Sequence, residues 1–85
     1  MYTLVLRSRA ISDMQRLHPT IRARVLDKLE NLCANWTEHP KKALKGIHRG
    51  KFSLTVAKDY RVLYSFNAST QEVFVHEVGH RRDVY

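Results

Sequence analysis

Apolar and polar positions open the chain in a β-prone pattern, with Tyr2, Leu4 and Leu6 interleaved by Thr3 and Val5, and a first strand is predicted there. Ser8 is a candidate helix cap. Beyond it Ile11, Met14 and Leu17 recur at helical spacing, so a short helix is expected to stop before Pro19. Pro19-Thr20 opens a longer helix whose apolar stripe runs through Ile21, Val25, Leu29, Leu32 and Trp36, widened by Leu26 and Cys33. Arg22, Arg24, Asp27, Lys28 and Glu30 are assigned to its solvated side. The pattern then breaks at His39-Pro40 and passes through a basic loop. Strand alternation returns over Phe52, Leu54 and Val56 and again over Tyr60, Val62, Tyr64 and Phe66, with Lys58-Asp59 as a tight connection. Asn67-Ala68-Ser69-Thr70 is a turn by composition, and Glu72 to Val78 is the last strand, ended by Gly79.

The order β-α-α-β-β-β, with three strands joined by short turns, predicts an α+β domain. A helical hairpin packs on one face of an antiparallel sheet and leaves the other face open. Residues 1–85 make a single domain, without repeats, linkers or low-complexity runs. An apolar share of 44% argues against disorder. No apolar run approaches the ~20 residues of a membrane span, and the apolar start is too short for a secretory signal, so a cytoplasmic protein with no membrane partner is expected. Cys33 is the only cysteine, which excludes an internal disulfide and thiolate zinc ligation. His18, His39 and His76 lack ligand spacing and are assigned no chemistry; no metal or other cofactor is expected.

Charge changes the picture. Fifteen Lys and Arg against eight Asp and Glu leave +7, and the pI is about 10.0. A pI above ~9 with clustered bases is the electrostatic footprint of a nucleic-acid binder, and an acidic protein exploits the same field. The excess is concentrated: Lys41, Lys42, Lys45, Arg49, Lys51, Lys58 and Arg61 face only Asp59 between positions 41 and 61. Strand alternation sends Tyr60, Val62, Tyr64 and Phe66 toward the helices and Arg61, Leu63 and Ser65 to the open side, where Ser53 and Thr55 of the preceding strand join them. That is a shallow cradle around Arg61. The tail adds His80, Arg81 and Arg82, and the end of the last strand approaches the middle of its neighbour, so Arg61 and Arg81 are candidates to converge.

Two guanidiniums suit a phosphodiester, which they grip bidentately and whose extra charge they stabilise during cleavage. RNA brings its own nucleophile, the 2′-hydroxyl, so the protein need supply only positioning, proton transfer and positive charge. Tyr85 and His80 are the proton-transfer candidates near that charge, and an ordinary imidazole, near pKa ~6.5, is the better match to neutral pH. Lys45, Arg49, Lys51, Lys58 and Arg82 are the candidate phosphate-binding residues around them.

The strand Asp59-Tyr60-Arg61-Val62-Leu63-Tyr64 and the ending Val75-His76-Glu77-Val78-Gly79-His80-Arg81-Arg82-Asp83-Val84-Tyr85 resemble the C-terminal signature of the RelE/ParE toxin superfamily. Leu44-Lys45-Gly46 is similar to the loop that precedes the second strand in RelE-type toxins, and the order of elements extends the likeness over the whole chain. The resemblance implies the toxin of a type II toxin–antitoxin system that acts on mRNA in the ribosomal A site and inhibits translation. It implies metal-independent endoribonuclease (mRNA interferase) chemistry through the 2′-hydroxyl, with the ribosome and an acidic antitoxin as partners. In its terms Arg61 contacts the reacting phosphate, Arg81 stabilises the transition state, and Tyr85 orients or deprotonates the nucleophile.

The chain also departs from that pattern. Well-known members carry lysines where Ser53 and Thr55 stand here, so the general base is left open among Lys51, Arg49, Lys45 and His48 of the neighbouring loop. A terminal helix, present in several members, is not expected. Two other readings share the fold: a ParE-like inhibitor of DNA gyrase, favoured by the absent lysines, and a non-catalytic module that binds an antitoxin and represses transcription with it.

Overall fold

In the computed structural model, residues 1–39, 41–44 and 50–84 are described. Strand β1 (Thr3–Leu6) leads into helices α1 (Ser8–Arg16) and α2 (Pro19–Ala34), the latter followed by a 3-10 turn at Trp36–Glu38. The two-residue strand β2 (Lys42–Ala43), then β3 (Phe52–Val56), β4 (Tyr60–Asn67) and β5 (Glu72–His80) complete the sheet, and a one-turn helix α3 (Arg81–Val84) follows. The strands lie in the order β1-β5-β4-β3-β2. The meander β3-β4-β5 is antiparallel as expected. β1 pairs parallel with β5, so the sheet as a whole is mixed. Two further boundaries differ from expectation: β5 runs through Gly79 to His80, and a terminal helical turn is present.

The core lies on the helix side of the sheet. Val25, Leu29, Leu32 and Cys33 of α2 and Ala10 and Met14 of α1 pack with Leu54, Val56, Val62, Tyr64, Val73, Val75 and Val78. Alternation thus acts as predicted on β3 and β4, and the α2 stripe is the one read from the sequence. On α1 the buried residues are Ala10 and Met14, while Ile11 is exposed, because the face that touches the sheet is rotated by about one residue from the expected stripe. An aromatic group closes one end: Trp36 stacks on Tyr2 with ring centroids 4.2 Å apart and meets Phe66 edge-on at 4.6 Å. Lys41 lies over Trp36, 4.2 Å from the ring centroid, and donates to its carbonyl, which turns this cation away from the open sheet face.

The corner between the helices is tied by a residue expected on the solvated side. The Arg22 guanidinium is half-buried and donates to the Met14 carbonyl at 2.9 Å and the Leu17 carbonyl at 3.1 Å, capping the C-terminal end of α1. These acceptors carry the negative end of the α1 dipole, so a cation belongs there. The Ser8 side chain makes no cap; Arg7 occupies the cap position without a side-chain hydrogen bond. His18 caps α2 instead, its Nδ1 accepting from the Thr20 N–H at 3.2 Å, with Pro19 in the first turn.

Candidate active site

β5 is longer than β1, so its outer edge beyond Val75 needs other partners for its N–H groups. α1 supplies one: Asp13 accepts the Val78 N–H at 3.1 Å. Beside it Arg9 holds Glu77 at 3.1 Å. This edge borders a bulge. Leu63 pairs with Glu77 but Tyr64 pairs with Val75, leaving His76 as the extra residue. Val75 and Val78 therefore both reach the core although three positions separate them, and His76 is left on the side of Ser65, with which it shares a 2.7 Å hydrogen bond.

The face away from α1 and α2 carries Ser53 and Thr55 on β3, Arg61, Leu63 and Ser65 on β4, and Phe74 on β5. It is less open than predicted. Leu63 is fully buried, and Ser53 is 9% exposed; the two are in register on neighbouring central strands, and Leu63 is also in register with Glu77. A buried centre divides this face into two ends.

At one end Arg61 is half-buried, engaged in a contact of its own, and in register with Gly79 and Thr55. Gly79 brings no side chain beside it. The Arg81 N–H donates to the Asp59 carbonyl at 2.8 Å, which sets the start of α3 against the beginning of β4. The backbones bearing Arg61 and Arg81 are thus diagonal neighbours. The Arg81 Nε lies 4.0 Å from an Asp59 carboxylate oxygen, both side chains being about half exposed at 55% and 48%. A pair so long and so wet is worth ~0–1 kcal/mol and does not lock the guanidinium. Lys58 and Arg82 are exposed at this end, Lys58 at the tip of the β3–β4 turn, where Ala57 and Lys58 take φ of 49° and 70°. Such left-handed backbone is costly for both residue types.

His80 does not join this group. It is in register with Tyr60, so its ring lies on the helix side, 5.6 Å edge-on from the Tyr60 ring, in a cleft of about 300 Å³ lined also by Arg9, Asp13 and Arg16. Its Nδ1 accepts the Arg82 N–H at 3.2 Å. His80 neighbours Arg81 in sequence, but the extension of β5 to position 80 turns its ring to the helix side. Lys45, Arg49, His48 and Tyr85 lie outside the described residues.

At the other end the structure assembles residues to which no chemistry had been assigned. Arg7 lies over the Phe74 ring at 4.7 Å, and the Ser65–His76 pair sits beside it. Burial lowers the His76 pKa first, with the positive charges of Lys51 and Arg7 adding to the effect and Glu77 opposing it. The imidazole is therefore neutral at pH 7 within a cationic field. The only sequence signal for it was the three-residue step from Val75 to Val78. Among the described residues no group of three or more His, Cys, Asp or Glu is placed to hold a metal ion, and no helix is long and apolar enough to cross a membrane.

A helical pair packed on a mixed sheet is the fold of the RelE toxin structures to which this chain is similar. The chain is similar to a chain in the crystal structure of the toxin–antitoxin complex RelBE2 from Mycobacterium tuberculosis, with a TM-score of 0.82 and 28% identity over 94% of this chain and 98% of that one. It is also similar to a chain of the intact E. coli RelBE complex, at TM-score 0.77 and 25% identity over 94% and 96% of the two chains. A YoeB/ParE toxin from Agrobacterium tumefaciens, 20% identical over 93% and 98%, shares the fold at TM-score 0.76. No curated protein matches the chain. The model of the ParE toxin of the type II toxin–antitoxin system parDE matches residues 4–85, and the chain belongs to that family, within the RelE/ParE superfamily.

Proposed function

We propose that this toxin is an endoribonuclease that cleaves mRNA in the ribosomal A site, without a metal, at the Arg61–Arg81 end of the sheet. The observation that carries the reading is the meeting of the β4 and α3 backbones, which sets two arginines on diagonal positions at the edge of a face the helices do not cover. In the reaction the RNA 2′-oxygen loses its proton and attacks the adjacent phosphorus. The bond to the 5′-oxygen breaks and that oxygen takes up a proton, leaving a 2′,3′-cyclic phosphate and a 5′-hydroxyl. Arg61 binds a non-bridging phosphate oxygen. Arg81, weakly held and mostly solvated, swings onto the charge that accumulates in the pentavalent state. Tyr85, to which the resemblance gives the proton transfer, lies outside the described residues, and Lys58 and Arg82 draw the strand in through long-range charge. Lys51 belongs to the opposite end of the face, and His80 is not assigned a role.

Purified protein is expected to cut mRNA on programmed ribosomes, and Arg81→Ala to slow the cut by about 10²–10³-fold, the usual worth of one transition-state donor. Intact mRNA with folded protein and competent ribosomes overturns the proposal. One observation favours a second reading: where well-known nucleases of the superfamily place lysines, β3 has the buried Ser53 and the exposed Thr55, and the matching family model is that of ParE. A DNA gyrase supercoiling assay separates the two.

An antitoxin partner follows from the same relatives, two of which are chains of toxin–antitoxin complexes. With +7 on this chain, the partner is expected to be acidic and to associate rapidly, more slowly as salt is raised.

A further inference from the structure

The far end of the same face forms a row across four strands. Lys51, just before β3, stands next to Ser65 of β4 because Phe52 pairs with Tyr64. Ser65 bonds to His76 of β5, and Arg7, just after β1, covers Phe74 of β5. All but Arg7 are half-buried, and Arg7 is exposed. Two cations thus flank a hydroxyl–imidazole pair, and among the described residues neither cation has a carboxylate partner, since Glu77 is held by Arg9. The guanidinium of Arg7 lies over the Phe74 ring at 4.7 Å and the residue is exposed, so a nucleobase can reach a guanidinium of the kind on which bases stack. Arg61 and Ser65 are four positions apart on β4, roughly 13 Å at about 3.3 Å per residue. The buried Leu63 lies between them. A single RNA strand crosses that gap in a few nucleotides.

We propose that Lys51, Ser65, His76 and Arg7 form a second nucleotide subsite, which holds a phosphodiester and base flanking the bond cut near Arg61. This rests on the reading of the face as an RNA track. Lys51 and His76 hold the phosphate, the Ser65 hydroxyl fixes the imidazole, and the base lies on Arg7. The groups around the imidazole are Lys51 from the segment before β3, Arg7 from the end of β1, and Glu77 and Ser65 from β5 and β4. Both cations now depress its proton affinity, so a phosphate placed among them reverses that effect. A bound strand therefore reports itself on His76.

The test uses the intact protein and a 2′-O-methyl hexaribonucleotide, which cannot be cleaved. His76 is titrated by NMR through its ring protons, with and without saturating oligonucleotide. Its pKa is expected to rise by about 1 on binding, the low end of the effect of an adjacent opposite charge. His76→Gln and Lys51→Ala are expected to weaken binding by about 3–10-fold, as the loss of a phosphate hydrogen bond does. Arg24→Ala, which removes an equal charge from the exposed side of α2, should leave affinity within about twofold, since at physiological salt distant charges are screened. An oligonucleotide that binds and weakens with Arg81→Ala, but leaves His76 unmoved and His76→Gln fully competent, overturns the subsite and spares the nuclease reading. A poly-glutamate peptide that raises the His76 pKa as much at equal ionic strength also overturns it, in favour of a protein-binding site. If ribosomal mRNA stays intact while the titration and affinity results hold, the cleavage reading falls and the subsite stands.

Discussion

Removing the guanidinium of Arg22 tests whether the helix corner is held as described. Its Nε bonds to the Met14 carbonyl at 2.9 Å and an Nη to the Leu17 carbonyl at 3.1 Å, while a third contact, to Gln15, is long at 3.4 Å. A hydrogen bond to a charged group contributes about 1.5–3 kcal/mol when it is well formed. Two of them set an upper figure of about 3–6 kcal/mol, but two features reduce it. The Met14 carbonyl retains the Leu17 N–H at 3.2 Å after the substitution, so it is not left bare, and the site is half-solvated. Arg22→Ala should then cost about 2 kcal/mol. In a domain of this size that lowers Tm by roughly 8–16 °C. Urea unfolding followed by the fluorescence of Trp36, half-buried against Tyr2, measures it. Arg22→Lys should recover less than half of the loss, because a single ammonium cannot reproduce the fork. If Arg22→Ala lies within about 0.5 kcal/mol of wild type at an unchanged m value, these contacts do not hold the corner.

Other consequences are more compact. Tyr64 is fully buried and among the described residues its hydroxyl has no hydrogen-bond partner, so Tyr64→Phe should be neutral or stabilise by up to about 1 kcal/mol in thermal unfolding; a loss above about 2 kcal/mol would reveal a partner. Burial pushes the same phenol up to about 12, so between its ordinary value near 10 and 12 the folded state keeps a proton that the unfolded state has released. Stability should therefore fall as pH rises through that window, and Tyr64→Phe should flatten the slope. For His76 the sign is reversed in pH: its folded pKa is lowered, the unfolded state binds the proton first, and stability should fall as pH drops below about 6.5. Urea midpoints of His76→Gln that show the same acid slope as wild type would contradict this. Gln71 takes φ of 55° in the β4–β5 turn, and Gln71→Gly should stabilise by up to about 1 kcal/mol, with no change in RNA binding.

Much of this molecule is legible in local patterns, and the rest depends on contacts that no local pattern carries. The strands β3 and β4 follow from alternation because both have one face in the core, so each apolar residue on that face is required there. The α2 stripe is legible for the same reason. The parallel pairing of β1 with β5 joins segments some seventy positions apart and leaves no local mark. Arg22 looked solvated because helical spacing says nothing of what the preceding helix ends against. At the candidate site, alternation alone places Arg61 on the side away from the helices, and the basic tail at the end of the last strand offers Arg81. The same alternation does not give the environment of Leu63, which is buried, and the two residues by which β5 runs past Val78 put His80 on the helix side. His76 escaped notice because a bulge, not a period, brings it beside Ser65.

The most direct test is the mapping of transcript ends in cells after brief induction of the wild-type chain, Arg61→Ala and Arg81→Ala at equal protein levels. Cleavage at the Arg61–Arg81 end requires new 5′-hydroxyl ends within translated frames for wild type and their loss in both variants. Translated transcripts that remain whole under wild-type induction, or ends that persist undiminished in both variants, would contradict it.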